Sequence, residues 1–478
     1  MASAWGNVQL QPLDLGIIVL YVGSLLYLGL RSRLSPAAQV ESYLLGGRRL
    51  TLVPFVATLV STWYGGILGI GEFTYLHGVV NLVVFGVPYY IFAIFYALFL
   101  AARIRGGEAL TIPDRFRRAY GPHSARFSAA LVFLLTTPAP YLLMLGVMLN
   151  FLLGFELWVS VFLGTVFSTI YLWRGGFKAV VRTDVFQFAL MFVGFAVLLG
   201  FLVGSEPLLD MWRGLPSGYR NWRGAEHLSW QVILVWFLIA SWTFVDPGFY
   251  QRCAAARTGK TAARGILISV GFWFVFDLLT TSTGLYAIGQ LPHLEGQLAS
   301  PVAAYPLLGA TVLPAGLRGL FFAALLAVIM STVDSFVFIS ATTLGRDFAP
   351  RGGENPAAER QRIRWGIVAS CVVGYILALS LPSVVELWYT LGMVLVPGLL
   401  LPILLTFYPR ITLSDGAALK VGLAGVLTAG VWLLTPGIMR MLGGAGETYP
   451  LGLQPMLPGL LVTFIMVPLL GRSSHAGG

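Results

Sequence analysis

The chain has 478 residues, of which 57% are hydrophobic and only 10% charged, with a formal net charge of +10. Soluble domains carry roughly 25% charged residues, so a water-facing surface cannot be built from this composition, and intrinsic disorder is excluded for the same reason. Two cysteines, Cys253 and Cys371, cannot form a disulfide framework or a four-ligand zinc site, which leaves a polytopic membrane protein.

Crossing the ~30 Å hydrocarbon layer takes about 20 helical residues. In chain order the apolar runs predict thirteen spans, at 13–30, 52–76, 79–102, 127–153, 157–173, 180–203, 231–250, 264–288, 317–345, 363–381, 384–407, 417–435 and 453–470. None alternates with period two, so an all-α bundle is expected and a β-barrel is not. No Lys or Arg precedes Arg31, so the first span lacks the basic flank of a signal peptide and is expected to be retained. With the N-terminus outside, 25 of the 30 Lys and Arg residues face the cytoplasm, among them Arg252, Arg257, Lys260 and Arg264 after the seventh span. Arg213, Arg220, Arg223, Arg318 and Arg440 stay outside. This asymmetry predicts a cytoplasmic C-terminus and makes the positive charge a topology signal, not a nucleic-acid-binding one. No gap between spans is long enough for a soluble domain, so a single transmembrane domain is expected over 1–478.

Catalytic signatures are missing. Ala254-Ala-Ala-Arg-Thr-Gly-Lys-Thr261 approaches a phosphate loop, but it begins with Ala where Gly is needed and follows a span instead of a strand. The histidines at 77, 123, 227, 293 and 475 are scattered, and no Gly-x-Ser-x-Gly elbow occurs. Neither ATP-driven transport nor an intramembrane enzyme is supported.

Polar atoms and helix breakers are costly in a bilayer, so function is sought where they occur. The second span reads Ser61-Thr-Trp-Tyr-Gly65-Gly66-Ile-Leu-Gly69-Ile-Gly71-Glu72. Its glycines fit an interrupted helix that frees the carbonyls of Ser61 and Tyr64, and equally a close helix contact through Gly65-x-x-x-Gly69. The ninth reads Met330-Ser331-Thr332-Val333-Asp334-Ser335; its hydroxyls fit back-bonding within their own helix, or coordination, to which the intramembrane Asp334 adds weight. The midpoints of the two runs, residues 64 and 331, put both features at one depth near the midplane. Carbonyls and hydroxyls there are hard oxygen ligands suited to a small alkali cation. The seventh span carries a second break, Asp246-Pro247-Gly248. The breaks lie five spans apart, and an odd number of helices inverts a unit, so 52–203 and 231–407 are expected as inverted halves of an alternating-access carrier. Asp184, opening the sixth span, fits a solvated helix N-terminus as well as a functional carboxylate. Asp277 fits an interhelical hydrogen bond or a role in transport, and Glu72 and His77 fit the outer interface.

The chain resembles the sodium:solute symporter family. The resemblance runs through Glu41-Ser-Tyr-Leu-Leu-Gly-Gly-Arg48, Thr111-Ile-Pro-Asp-Arg-Phe with Tyr120-Gly121, and Gly175-Gly-Phe-Lys-Ala-Val-Val-Arg-Thr-Asp184-Val-Phe-Gln187. It continues through Asp246-Pro-Gly-Phe-Tyr-Gln-Arg252, Met330-Ser-Thr-Val-Asp-Ser335 and Gly345-Arg-Asp347. It implies a leucine-transporter-like core of two inverted five-helix repeats, with one extra helix before it (13–30) and two after (417–470). It implies sodium as coupling ion, bound by Ser61, Tyr64, Val328, Ser331 and Thr332, and in some members a second cation near Asp184, Asp334 and Ser335. The pocket falls to Trp63, Tyr141, Trp236, Trp242 and Phe244, which suits a compact solute with an apolar part, although plain helix packing suits each ring as well. Proline- and sugar-carrying relatives have other residues at the break, which sets this chain apart from both. The expectation is a sodium-coupled symporter of a bacterial inner membrane, importing a small organic solute, with no organic cofactor and a monomer sufficient for transport. Proton coupling on the same fold, or a receptor without solute flux, are the alternatives.

Overall fold

The computed structural model describes residues 10–31, 40–291, 301–349, 355–380, 384–408, 411–442 and 449–473; Arg33, Arg351, Arg410, His293 and His475 lie outside them. The described residues are almost entirely helical. In chain order the apolar helices are α1 (Pro12–Leu30), α2 (Leu52–Trp63), α3 (Ile67–His77), α4 (Leu82–Phe99), α5 (Pro122–Leu153), α6 (Leu157–Ile170) and α7 (Gly175–Ser205). They continue as α8 (Trp230–Ala255), α9 (Gly259–Gln290), α10 (Leu317–Asp347), α11 (Pro356–Ser380), α12 (Val384–Leu405), α13 (Asp415–Met441) and α14 (Met456–Leu470), with a short apolar helix, Pro301–Val312, between α9 and α10. Ten are long and apolar enough to cross a bilayer, and α2 with α3, bent by 55° at a short break, make an eleventh candidate span. Helices stand at all thirteen expected places, but α6 and α14 are shorter than a full span, so ten or eleven crossings are what the structure supports on length and composition.

Three interruptions shape the bundle. Gly176, at φ 56°, turns the chain at the start of α7, and a Cβ there would lie 2.7 Å from the Tyr43 ring; only glycine takes this conformation without strain. The α2–α3 break spans Tyr64 to Gly66, with neither Tyr64 (φ −94°, ψ 14°) nor Gly66 (φ −86°, ψ 22°) in regular helical geometry. Within α8 the helix tightens to a 3₁₀ turn over Ala240–Val245, then restarts at Pro247 with Asp246 as its cap: Phe249 N–H donates to Asp246 Oδ1 at 2.8 Å. The restarted helix runs to Ala255, past the expected end at 250.

α10 lies at the centre and is almost wholly enclosed by protein. Its sequence explains this, because apolar, small and hydroxyl residues cover every face and leave no stripe for lipid or water. α7 crosses it, with α1, α2, α5 and α11 around them. At one end Asp14 of α1 accepts from Gly316 N–H (2.8 Å), Gly319 N–H (2.9 Å) and the Arg318 guanidinium (2.5 and 3.0 Å), which fixes the start of α10. At the other, Arg346 reaches Asp347 at 3.2 Å, Asp114 at 3.6 Å and Glu359 at 2.9 Å. The central helix is pinned at both ends while its middle faces the two breaks.

Candidate functional site

The α2 break and the middle of α10 meet. Ser331 Oγ donates to Asp184 Oδ1 at 2.6 Å and lies 2.9 Å from Ser61 Oγ, while Thr332 Oγ1 donates to the carbonyl of Thr62 at 2.7 Å. Ser61, Ser331 and Thr332 are fully buried. Helix α2 ends at Trp63, so its last carbonyls have lost their usual partners one turn on. Tyr64 stands at the break itself, and Val328 is buried on α10 one turn before Thr332. The five residues expected to bind sodium thus lie on two facing segments. Their hydroxyls point across the contact, and do not only bond back within α10 as the alternative reading allowed.

The contact is close because Gly65 has no side chain. A Cβ on Gly65 would sit 2.2 Å from Thr332 Cβ, and one on Gly66 1.6 Å from the Trp388 ring. Gly65→Ala is therefore expected to force α2 from α10 and destabilise the protein by about 1–3 kcal/mol. Chemical unfolding of the purified protein measures this, and wild-type stability would show that the contact yields freely. Gly69 is also tightly packed, its added Cβ 3.2 Å from Met144 and Val385, so both expected roles of the glycines are present in one segment.

Asp184 is fully buried, which overturns its reading as a solvated helix N-terminus. It also accepts from Thr58 Oγ1. Opposite it stands Arg252, whose Nη2 lies 3.7 Å from Asp184 and donates to Ser335 (2.7 Å), Thr62 (2.9 Å) and Thr58 (3.2 Å). Arg252 was expected in a cytoplasmic loop; because α8 restarts at Pro247, it lies inside the bundle and is fully buried. A guanidinium can be buried there only because a carboxylate and three hydroxyls replace its water. Of the expected second-cation residues, Asp184 and Ser335 flank this guanidinium, while Asp334 is buried within electrostatic reach of Tyr21 on α1.

Beside this network opens a cavity of about 120 Å³. Of the pocket candidates, Trp63, Tyr141, Trp236 and Trp242 line this cavity, and so do Asp246 and Gly248 beside the α8 break. Phe244 does not: it stacks on Tyr96 at 6.3 Å and meets Phe92 edge-on at 5.5 Å, because the 3₁₀ turn rotates it toward α4. Asp277, also on the wall, accepts from Tyr64 OH at 2.9 Å and from Tyr90 OH, so the interhelical hydrogen bond weighed for it is present. His77 stands 3.8 Å from Glu226, away from the cavity. Sequence reasoning missed Thr58, Thr62, Arg252 and Trp388. Thr58 lies three residues before Ser61 and four before Thr62, the spacings that put neighbours on one side of a helix, a signal that was readable.

The chain matches the sodium:solute symporter family over residues 43–425. It is 28% identical over 370 residues to sodium-coupled monocarboxylate transporter 2 of Danio rerio, covering 70% of this chain and 56% of that protein. It is 26% identical over 437 residues to sodium/myo-inositol cotransporter 2 of Mus musculus, covering 81% of this chain and 62% of that one. The chain therefore spans less than two thirds of the length of these relatives. A solved Na⁺-coupled sialic acid symporter, in a substrate-bound outward-open state, superposes with a TM-score of 0.77 at 16% identity, covering 98% of this chain and 100% of the other, which establishes the shared fold.

Proposed function

Because the chain belongs to the sodium:solute symporter family, we propose that it is a sodium-coupled secondary transporter that imports a small organic solute by alternating access. The observation that carries the reading is the buried meeting of Ser331 and Thr332 with Ser61 and Thr62 across a helix break, at 2.9 and 2.7 Å. Sodium fits there as transported cargo, with the carbonyls of Ser61, Tyr64 and Val328 and the hydroxyls of Ser331 and Thr332 as its ligands. Helix ends and hydroxyls are partly dehydrated already, which suits sodium or lithium better than the larger potassium ion. The solute would occupy the adjoining cavity, and 52–203 and 231–407 would move as inverted repeats about the pinned α10. One chain supplies every group named, so a monomer suffices. The basic-residue asymmetry supports an inner-membrane orientation with the N-terminus outside and the C-terminus in the cytoplasm.

Driving force gives the test. One charge moving through 100 mV supplies about 2.3 kcal/mol. A tenfold sodium gradient adds about 1.4 kcal/mol, so one ion accumulates a neutral solute about 500-fold. Proteoliposomes with an inward sodium gradient and negative interior are expected to accumulate solute, with lithium a partial substitute. Equal uptake from potassium medium under a proton gradient would instead establish proton coupling. Solute binding with no flux under either gradient would make the protein a receptor.

A further inference from the structure

The relatives above are named for an acid and a polyol, so family membership does not fix the solute. The cavity wall carries that information. Ten of its nineteen lining residues are aromatic. Trp63, Tyr89, Tyr141, Trp242 and Trp388 reach it from α2, α4, α5, α8 and α12, so rings close on the space from several sides. They are braced by one another: Trp63 and Tyr89 meet edge-on at 4.9 Å, and Tyr141 lies 6.2 Å from Trp388.

The charges on the wall are unequal. Asp246 and Asp277 are carboxylates, and Arg252 is the one cation among the lining residues, facing Asp184 at 3.7 Å and, on its other side, Asp246. Asp277 is taken up by two phenol hydroxyls. Asp246 lines the cavity, accepts from the Phe249 amide through Oδ1, stands within electrostatic reach of Arg252 and is 8% exposed. Ring faces are negative and attract cations, most strongly where water is excluded, and alkylated ammonium groups are the ligands that such cages take.

Resting on the symport reading, we propose that the solute is a small organic cation bearing an alkylated ammonium group, held among these rings with Asp246 as its counter-charge. The rival is a carboxylate drawn to Nε and Nη1 of Arg252, which find no acceptor among the described residues.

The test uses the full chain in nanodiscs with sodium chloride and radiolabelled choline as probe. Choline is expected to bind and to be displaced by tetramethylammonium. The neutral isostere 3,3-dimethylbutan-1-ol should compete at least about tenfold more weakly, because it keeps the shape and loses the charge. Asp246→Asn retains an acceptor for the Phe249 amide and should weaken choline binding by about tenfold or more. Absence of choline binding, equal competition by the neutral isostere, or displacement by lactate but not tetramethylammonium overturns the proposal. Thermal stabilisation by sodium over potassium, measured without solute, reports on the ion site separately. If it persists while choline fails, only the solute class is wrong; if it is missing, the sodium reading itself falls.

Discussion

Ser331→Ala and Thr332→Val are each expected to raise the half-saturating sodium concentration by roughly 30- to 150-fold, the equivalent of losing a ligand worth about 2–3 kcal/mol. Both changes nearly preserve shape and delete one oxygen. The structure sharpens the comparison, since each hydroxyl bonds across to another helix: Ser331 to Asp184 at 2.6 Å and Thr332 to the Thr62 carbonyl at 2.7 Å. If these were only packing contacts, the variants would lose about 1 kcal/mol of stability each and keep their sodium dependence. Ser340→Ala is the control. Ser340 is equally buried on α10, nine residues beyond Ser331, with no hydrogen-bond partner for its hydroxyl among the described residues, and its loss should leave sodium binding unchanged. Wild-type sodium affinity in well-folded Ser331→Ala and Thr332→Val would show that the ion binds elsewhere.

The second large effect concerns the buried ion pair. Asp184→Asn leaves the Arg252 guanidinium without its counter-charge, and Arg252→Gln leaves Asp184 stranded, so each should destabilise the protein by about 3–5 kcal/mol. The double variant removes both charges and should cost clearly less than the two single changes together. Chemical denaturation of the four proteins in one detergent measures the coupling. Additive losses would mean that the 3.7 Å pair contributes no mutual stabilisation and that the surrounding hydroxyls alone hold each group.

Hydropathy made the fold legible because a bilayer demands long uninterrupted apolar helices, and α1, α5, α9 and α10 follow the expected runs to within a few residues at most ends. The α2 break and the α10 hydroxyls were legible for the converse reason: glycines and hydroxyls stand out against an apolar background. Arg252 was not legible. A charge following Pro247, Gly248 and Tyr250 reads as a loop, and only the restart of the helix under an Asp246 cap carries it inward. Asp184 shows the same limit, since its position near a span boundary says nothing about what packs over it. Phe244 lies in the Ala240–Val245 stretch, where a 3₁₀ turn changes the angular spacing of side chains from that of an α-helix, so its direction could not be read from helical periodicity. Trp388 lies more than 300 residues from the break it touches, and no local pattern announces such a contact.

That contact at Trp388 has a thermodynamic consequence. Its indole fills the place a side chain at Gly66 would take, and it also lines the cavity. On the proposed function, one ring therefore borders both the ion site and the solute site. A solute that favours one position of the indole changes the free energy of the break, and with it sodium affinity; by linkage, sodium changes solute affinity by the same factor. The two ligands need never touch. A membrane carrier that lets one ligand through without the other dissipates its gradient, and a shared wall of this kind is a simple way for each to sense whether the other is aboard.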